Sequence, residues 1–130
     1  MTSITINLGD AFLIDTPPSG EHLYIAIAQT SANKYLFVNV TTRRNTSEIS
    51  CILAPGSDVP SFIIRESIVA YQFAREMDAI DLASLITFGS PIPKGSCSAT
   101  VLARIQQGGL VSKRLSNKYK TALKAFLGTP

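Results

Sequence analysis

The first two thirds of the chain consist of short apolar segments that alternate with turn residues at nearly regular intervals. The segments are residues 11–14, 23–28, 35–41, 50–53, 62–64 and 68–74. Runs of this length, rich in β-branched and aromatic side chains, predict β-strands. Because no helical period lies between them, the pattern argues against a parallel sheet, which needs crossover segments. We therefore predict an antiparallel sheet or small barrel of five to six strands over about residues 4–74.

The last third of the chain changes to helical spacing. Asp78 and Ser98 are suitable N-caps for a first and a second helix. We expect the first helix to end at Gly89 and Pro91 and the second at the glycine pair 108–109. A third is predicted for about residues 116–126. The fold class is thus α+β, a barrel followed by two to three helices. We expect a single domain over residues 1–130, with the barrel in 1–77 and a basic helical part in 78–130.

The composition limits the classes of protein to which this chain can belong. Of the 130 residues, 45% are apolar and 16% are charged, which is typical of a folded globular protein. No apolar run approaches the roughly 18 residues of a membrane helix, and the first residues do not resemble a signal peptide. We therefore expect a cytoplasmic protein. Cys51, Cys97 and the single histidine are too few for a disulfide scaffold or a four-ligand zinc site, so no metal and no cofactor are expected.

The net charge of +3 hides an asymmetry along the chain. All nine acidic residues lie in residues 1–81, and seven basic residues but no acidic one follow them. A basic C-terminal third favours a polyanionic partner or an acidic protein partner. The alternative is a solvated helix face that only keeps the protein in solution.

Two places in the chain are candidates for chemistry. His22 precedes the second predicted strand, and imidazole is a good proton carrier near neutral pH. The alternative is a structural histidine. Thr41, Thr42, Arg43 and Arg44 follow one another where the third strand ends. Hydroxyl and guanidinium groups at a sheet edge suit a phosphate, because arginine offers paired donors to its oxygens. The alternative is a polar loop that ends a strand.

The order and spacing of several short pieces resemble the MazF/PemK family of toxins. The matching pieces are Gly9-Asp10, residues 14–18, Gly20-Glu21, the strand at 23–28 and residues 38–42. A weaker match covers residues 64–68, where the family has an acidic-polar pair near its subunit contact; here that pair is Glu66 and Ser67. The resemblance spans roughly residues 8–77, and the later helices match only in type.

The resemblance implies a small SH3-like barrel and a ribonuclease of a toxin–antitoxin system that cleaves single-stranded RNA without a metal. In the family an Arg at the start of the second strand and a Ser or Thr at the end of the third flank the scissile phosphate. The Ser/Thr position falls on Thr41, but the Arg position falls on His22 and the following Pro is Leu23. Either His22 replaces the arginine as the proton-transfer group, or the nuclease activity is lost and the groove only binds.

We therefore expect a metal-independent endoribonuclease that acts as a homodimer and is inhibited by an antitoxin protein. His22 and Thr41 are its candidate catalytic residues, and Glu66 with Ser67 are candidates for a dimer or structural role. The candidate RNA-binding residues are Thr42, Arg43, Arg44 and Lys34. The alternative is a catalytically inactive barrel that binds nucleic acid or a partner protein through its groove and basic helices.

Overall fold

The computed structural model describes residues 5–15, 21–85 and 95–129. One antiparallel sheet of five strands is followed by helices, which confirms the predicted α+β class with a barrel-like sheet. The strands are β1 (Ala11–Asp15), β2 (Glu21–Gln29), β3 (Lys34–Thr42), β4 (Ile52–Leu53) and β5 (Ser67–Asp78). The helices are α1 (Ala79–Leu85), α2 (Ala99–Val111) and α3 (Asn117–Leu127).

The strands lie in the order β1-β2-β3-β5-β4, so β3 is central and pairs with both β2 and β5. Register shifts interrupt the β2–β3 ladder between Ala26 and Ala28, and the β3–β5 ladder between Phe37 and Asn39. Bulges of this kind increase the local twist and bend the strand, as a barrel-like sheet requires. At the start of β1, Asp10 forms an isolated antiparallel bridge with Ser96, and the Ala11 amide donates to the Gly95 carbonyl (2.9 Å).

Both faces of the sheet are buried, and this explains why β2 is a continuous apolar run rather than an alternating one. One face packs against α2 and α3, where Ile25, Val38 and Leu123 belong to one core cluster. The other face packs against α1, and its cluster contains Phe12 and Phe37. Their rings meet edge to face, with centroids 6.3 Å apart. The apolar strand residues therefore lie in the core, and the candidate functional side chains lie at the ends of the strands.

Two predicted helix starts are confirmed by capping hydrogen bonds. The Ser98 hydroxyl accepts from the Val101 amide (3.2 Å), and an Asp78 carboxylate oxygen accepts from the Asp81 amide (2.7 Å). The third helix lies where it was expected. The predicted end of the first helix, at Gly89 and Pro91, lies outside the described residues, as do residues 16–20 of the resemblance. No helix within the described ranges is long and apolar enough to cross a membrane.

The predicted end of the second helix at the glycine pair is wrong, because α2 continues through it to Val111. Both glycines are buried inside the helix rather than placed at a turn. A Cβ at Gly108 would overlap the Tyr71 hydroxyl and come within 3.0 Å of the Ser50 carbonyl oxygen. A Cβ at Gly109 would lie 2.8 Å from a Leu123 methyl carbon. The pair is therefore required for close packing and not for helix termination.

The predicted strand at residues 62–64 is also wrong, because the structure has a turn there. The Ile63 amide donates to the Pro60 carbonyl (2.9 Å), and the Ile63 side chain is buried. Phe62 and Ile64 on either side of it are exposed. This apolar run has no strand to pair with among the described residues. Of its three side chains, that of Ile63 is buried and anchors the turn to the core.

Candidate functional site

A cavity of about 650 Å³ opens at the end of the sheet where β2 begins and β3 ends. We call it the groove. It brings together four of the predicted site residues, His22, Thr41, Thr42 and Ser67. Its opposite wall is the turn of residues 61–65. The candidate catalytic pair therefore shares one cavity, although 18 residues of chain lie between its two members.

The antiparallel register accounts for this meeting. Leu23 pairs with Val40, so His22 and Thr41 are each one residue beyond that pair, on neighbouring strands. Leu23 and Val40 belong to the core under α2 and α3. Because side chains alternate between the faces of a sheet, His22 and Thr41 both belong to the opposite face. The two side chains therefore project from the same face of adjacent strands, as two groups that contact one phosphate must.

Two buried polar side chains lie one step inward on that face. Tyr24 pairs with Asn39, and both are 3% exposed. Burial raises the pKa of the Tyr24 hydroxyl, and the nearby charge of Arg75 and the Asn39 side chain offset part of that rise. The hydroxyl is therefore protonated at neutral pH. Tyr24 and Asn39 are therefore neutral, buried groups, whereas His22 is partly exposed.

A second cavity, of about 700 Å³, lies beside the groove; we call it the basic cavity. Its charged lining residues are Arg43, Arg44, Arg65 and Glu66. Arg65 also lines the groove, so the two cavities are neighbours at this residue. Three arginines against one glutamate make the basic cavity suitable for an anion.

Glu66 and Ser67, expected at a dimer contact or in a structural role, have partners within the chain. Glu66 accepts from the Arg43 guanidinium at 2.8 Å, and both side chains are about half exposed (54% and 40%). The Arg43 amide also donates to the Glu66 carbonyl oxygen at 3.1 Å. The Ser67 hydroxyl donates to the Arg65 carbonyl oxygen at 2.9 Å. These contacts fix the backbone from which Arg65 projects.

Lys34, one of the predicted RNA-binding residues, is not brought to the groove. It begins β3 and is paired in register with Asp78, whereas Thr42 ends the same strand. At about 3.3 Å per residue, the eight steps between them correspond to roughly 26 Å. The other three members of that group, Thr42, Arg43 and Arg44, line one or the other cavity.

The cysteines are poor candidates for chemistry. Burial raises the pKa of the Cys51 thiol. Burial, and then the neighbouring Cys51, raise the pKa of Cys97 to about 11. Only the thiolate is an effective nucleophile, so both thiols are unreactive at neutral pH. Within the described ranges, no three or more His, Cys, Asp or Glu side chains converge as a metal site.

Phe62 and Arg65 are groove residues that the sequence reading did not assign to the site. The sequence pattern predicts a strand at residues 62–64, and residues 64–68 match the family only near its subunit contact. The available signal was Pro60 with Ser61 directly before the run, since a proline followed by a small polar residue is typical of a turn.

Among the solved structures with a similar fold is an endoribonuclease in complex with its cognate antitoxin, from a mycobacterial species. The TM-score is 0.54 at 17% sequence identity, and the match covers 97% of this chain and 98% of that chain. The two chains share a fold. No protein-family model matches the sequence, and neither does any curated protein.

Proposed function

We propose that this chain is the endoribonuclease toxin of a toxin–antitoxin system, of the MazF/PemK kind, and that it cleaves single-stranded RNA without a metal. The observation that carries the proposal is the placement of His22 and Thr41 on one face of adjacent strands, in a groove that adjoins a cavity lined by three arginines. The fold shared with an endoribonuclease over nearly the whole chain supports the same function.

The reaction needs a base, an acid and stabilisation of charge. The 2′-hydroxyl attacks the adjacent phosphorus and gives up its proton, while the 5′-oxygen of the next nucleotide leaves and takes a proton. The products are a 2′,3′-cyclic phosphate and a 5′-hydroxyl. His22 acts as the base or the acid in these transfers. The Thr41 hydroxyl donates to a phosphate oxygen, and the arginines beside it stabilise the charge that develops there.

The partners follow from the same proposal. The structural neighbour is bound to its cognate antitoxin. We propose an antitoxin protein for this chain as well, together with a homodimeric state and a cytoplasmic location.

The alternative function, a binding module without catalysis, depends on the basic helices. Among the described residues of the basic helical part, four cations have contacts within the chain. The Arg104 guanidinium donates to the Ile52 carbonyl (2.6 Å). The Lys120 ammonium donates to the Ser112 carbonyl (2.6 Å), Arg114 donates to the Thr46 carbonyl (3.3 Å), and Lys118 lies 5.9 Å from the centroid of the Tyr119 ring. These contacts explain several of the charges without a nucleic acid and favour the groove as the working surface.

The test is incubation of the purified protein with mixed-sequence single-stranded RNA in EDTA, read out by primer extension. We expect discrete cuts. A variant with Lys113, Lys118 and Lys124 changed to Gln should cut the same sites, because none of these residues lines either cavity. Intact RNA that is nevertheless bound in a salt-sensitive manner would contradict the enzyme proposal and support the binding module.

Glu66→Gln is expected to strengthen RNA binding by about two- to threefold. The substitution removes one negative charge from the basic cavity and releases the Arg43 guanidinium, a change of about 0.6 kcal/mol for one charge some 7 Å from a phosphate in water. Fluorescence anisotropy with a 2′-O-methyl RNA, which lacks the attacking hydroxyl, measures the affinity. Asp81→Asn on α1 is the matched control, since it changes the net charge equally but lies outside both cavities. Equal effects of the two variants would contradict the assignment.

A further inference from the structure

The turn of residues 61–65 presents an aromatic ring and a guanidinium to the groove. Ile63 is 5% exposed and anchors the turn, while the flanking Phe62 is 53% exposed. Phe62 lines the groove together with His22 and Thr41. Exposure alone does not make Phe62 special, because Phe73 on β5 is 57% exposed and lies outside both cavities. The relevant observation is its position across the groove from the candidate catalytic pair.

Arg65 has the complementary chemistry. Its side chain lines both cavities, and the structure shows no ion pair for it within the described ranges. Arg43, the obvious phosphate ligand from the sequence, is instead occupied by Glu66. The Ser67 hydroxyl holds the Arg65 backbone carbonyl, so the guanidinium projects from a fixed point at the boundary between groove and basic cavity.

A single strand of RNA alternates a planar base with a negative phosphate along its length. Proteins bind it by stacking bases on aromatic rings and by placing cations along the backbone. The groove offers both kinds of group: Phe62 and Arg65 line it together with His22 and Thr41, and Arg65 also lines the basic cavity. An exposed ring beside an arginine without an ion pair matches a base beside a phosphate, so the combination favours a nucleotide.

We propose that the turn of residues 61–65 is a nucleotide-binding subsite, in which Phe62 stacks on one base beside the scissile phosphate and Arg65 binds the next phosphate. This inference rests on the proposed function. It assigns Phe62 and Arg65 to substrate binding, and it explains why an exposed ring and an arginine without an ion pair both line the groove.

The test measures the affinity of the full chain for a fluorescent 2′-O-methyl RNA of mixed sequence by anisotropy. Phe62→Ala should weaken binding by about 5-fold to about 150-fold, the range found when one stacking ring is removed. Phe62→Tyr keeps the ring and should bind within about twofold of the parent. Phe62→Leu keeps apolar area without the ring and should resemble Phe62→Ala. Phe73→Ala, of equal chemistry and similar exposure, should not differ from the parent.

Arg65→Gln gives an independent readout. Removing one phosphate contact to a single strand lowers the slope of log affinity against log salt by about 0.7. Lys118→Gln on α3 should leave that slope unchanged, because Lys118 lines neither cavity.

Each result decides between the proposals. If the parent binds and cuts RNA but Phe62→Ala binds as tightly, the subsite is wrong and the proposed function stands. If Phe62→Leu binds like the parent, an apolar contact rather than stacking is at work, and the subsite is again wrong. Loss of self-association in Phe62→Ala, with RNA affinity retained, would identify the turn as a contact between copies. A parent that neither binds nor cuts RNA overturns both proposals.

Discussion

His22→Ala is expected to slow RNA cleavage by at least about a hundredfold, and by as much as about ten thousandfold. The imidazole is the group proposed to move a proton in the reaction, and the chain contains no second histidine that could take over. His22 is only half buried and lies near the start of β2. The substitution should therefore leave the melting temperature close to that of the parent. Initial rates on a fluorogenic RNA in EDTA, measured at saturating and at low substrate, provide the test.

The loss should appear in kcat rather than in binding, because the proton transfer belongs to the transition state. The affinity for the 2′-O-methyl RNA should therefore be close to that of the parent. Phe73→Ala serves as the control for handling and folding, since this exposed ring lies outside both cavities. Cleavage by His22→Ala at the parent rate would remove the proposed role of the histidine.

His22→Arg distinguishes the two interpretations of the departure from the family. If the histidine is the proton carrier, arginine in its place is a poorer base, and the variant should cut more slowly than the parent. If the parent is inactive and His22→Arg cuts RNA, the histidine marks a chain that has lost its nuclease activity.

Gly108→Ala is expected to destabilise the protein by about 2 kcal/mol or more, although alanine is the better helix former by about 1 kcal/mol. The added methyl group would overlap the Tyr71 hydroxyl and approach the Ser50 carbonyl oxygen to 3.0 Å. That hydroxyl is not free to move, because it donates to the Ile105 carbonyl at 2.6 Å inside the core. Urea unfolding followed by circular dichroism measures the free energy of unfolding.

Substitutions at two other glycines provide the comparison for this result. Gly109→Ala should cost less than Gly108→Ala, because its nearest neighbour is the end of the flexible Leu123 side chain. Gly56→Ala should change stability by less than about 0.5 kcal/mol, since nothing lies within 4 Å of its added Cβ. In a Tyr71→Phe background the cost of Gly108→Ala should fall, because the overlapping hydroxyl is gone. Equal costs at all three glycines would contradict the packing account.

Much of the fold could be predicted because its signals are local. Runs such as residues 23–28 have strand length and composition, and Ser98 has the hydroxyl that caps a helix. The antiparallel class followed from the absence of crossover segments. The prediction that the second helix ends at the glycine pair 108–109 was wrong, because the sequence does not distinguish a glycine needed for close packing from one that ends a helix. What distinguishes them is Tyr71, far away in the sequence.

The site was predictable in part for a related reason. His22 and Thr41 meet because neighbouring antiparallel strands begin and end at the same edge, which the resemblance anticipated. Lys34 was among the candidate RNA-binding residues, but it lies at the other end of the third strand from Thr42. The proposed role of residues 61–65 depends on how their turn packs across the end of the sheet. The position of such a turn cannot be predicted from sequence periodicity.

The central claim is that the groove cleaves RNA through the 2′-hydroxyl. Mass spectrometry of the fragments formed by the parent protein in EDTA tests it most directly. We predict 2′,3′-cyclic phosphates at the new 3′ ends and hydroxyls at the new 5′ ends. Fragments with 3′-hydroxyl and 5′-phosphate ends, or the absence of any fragments, would contradict it.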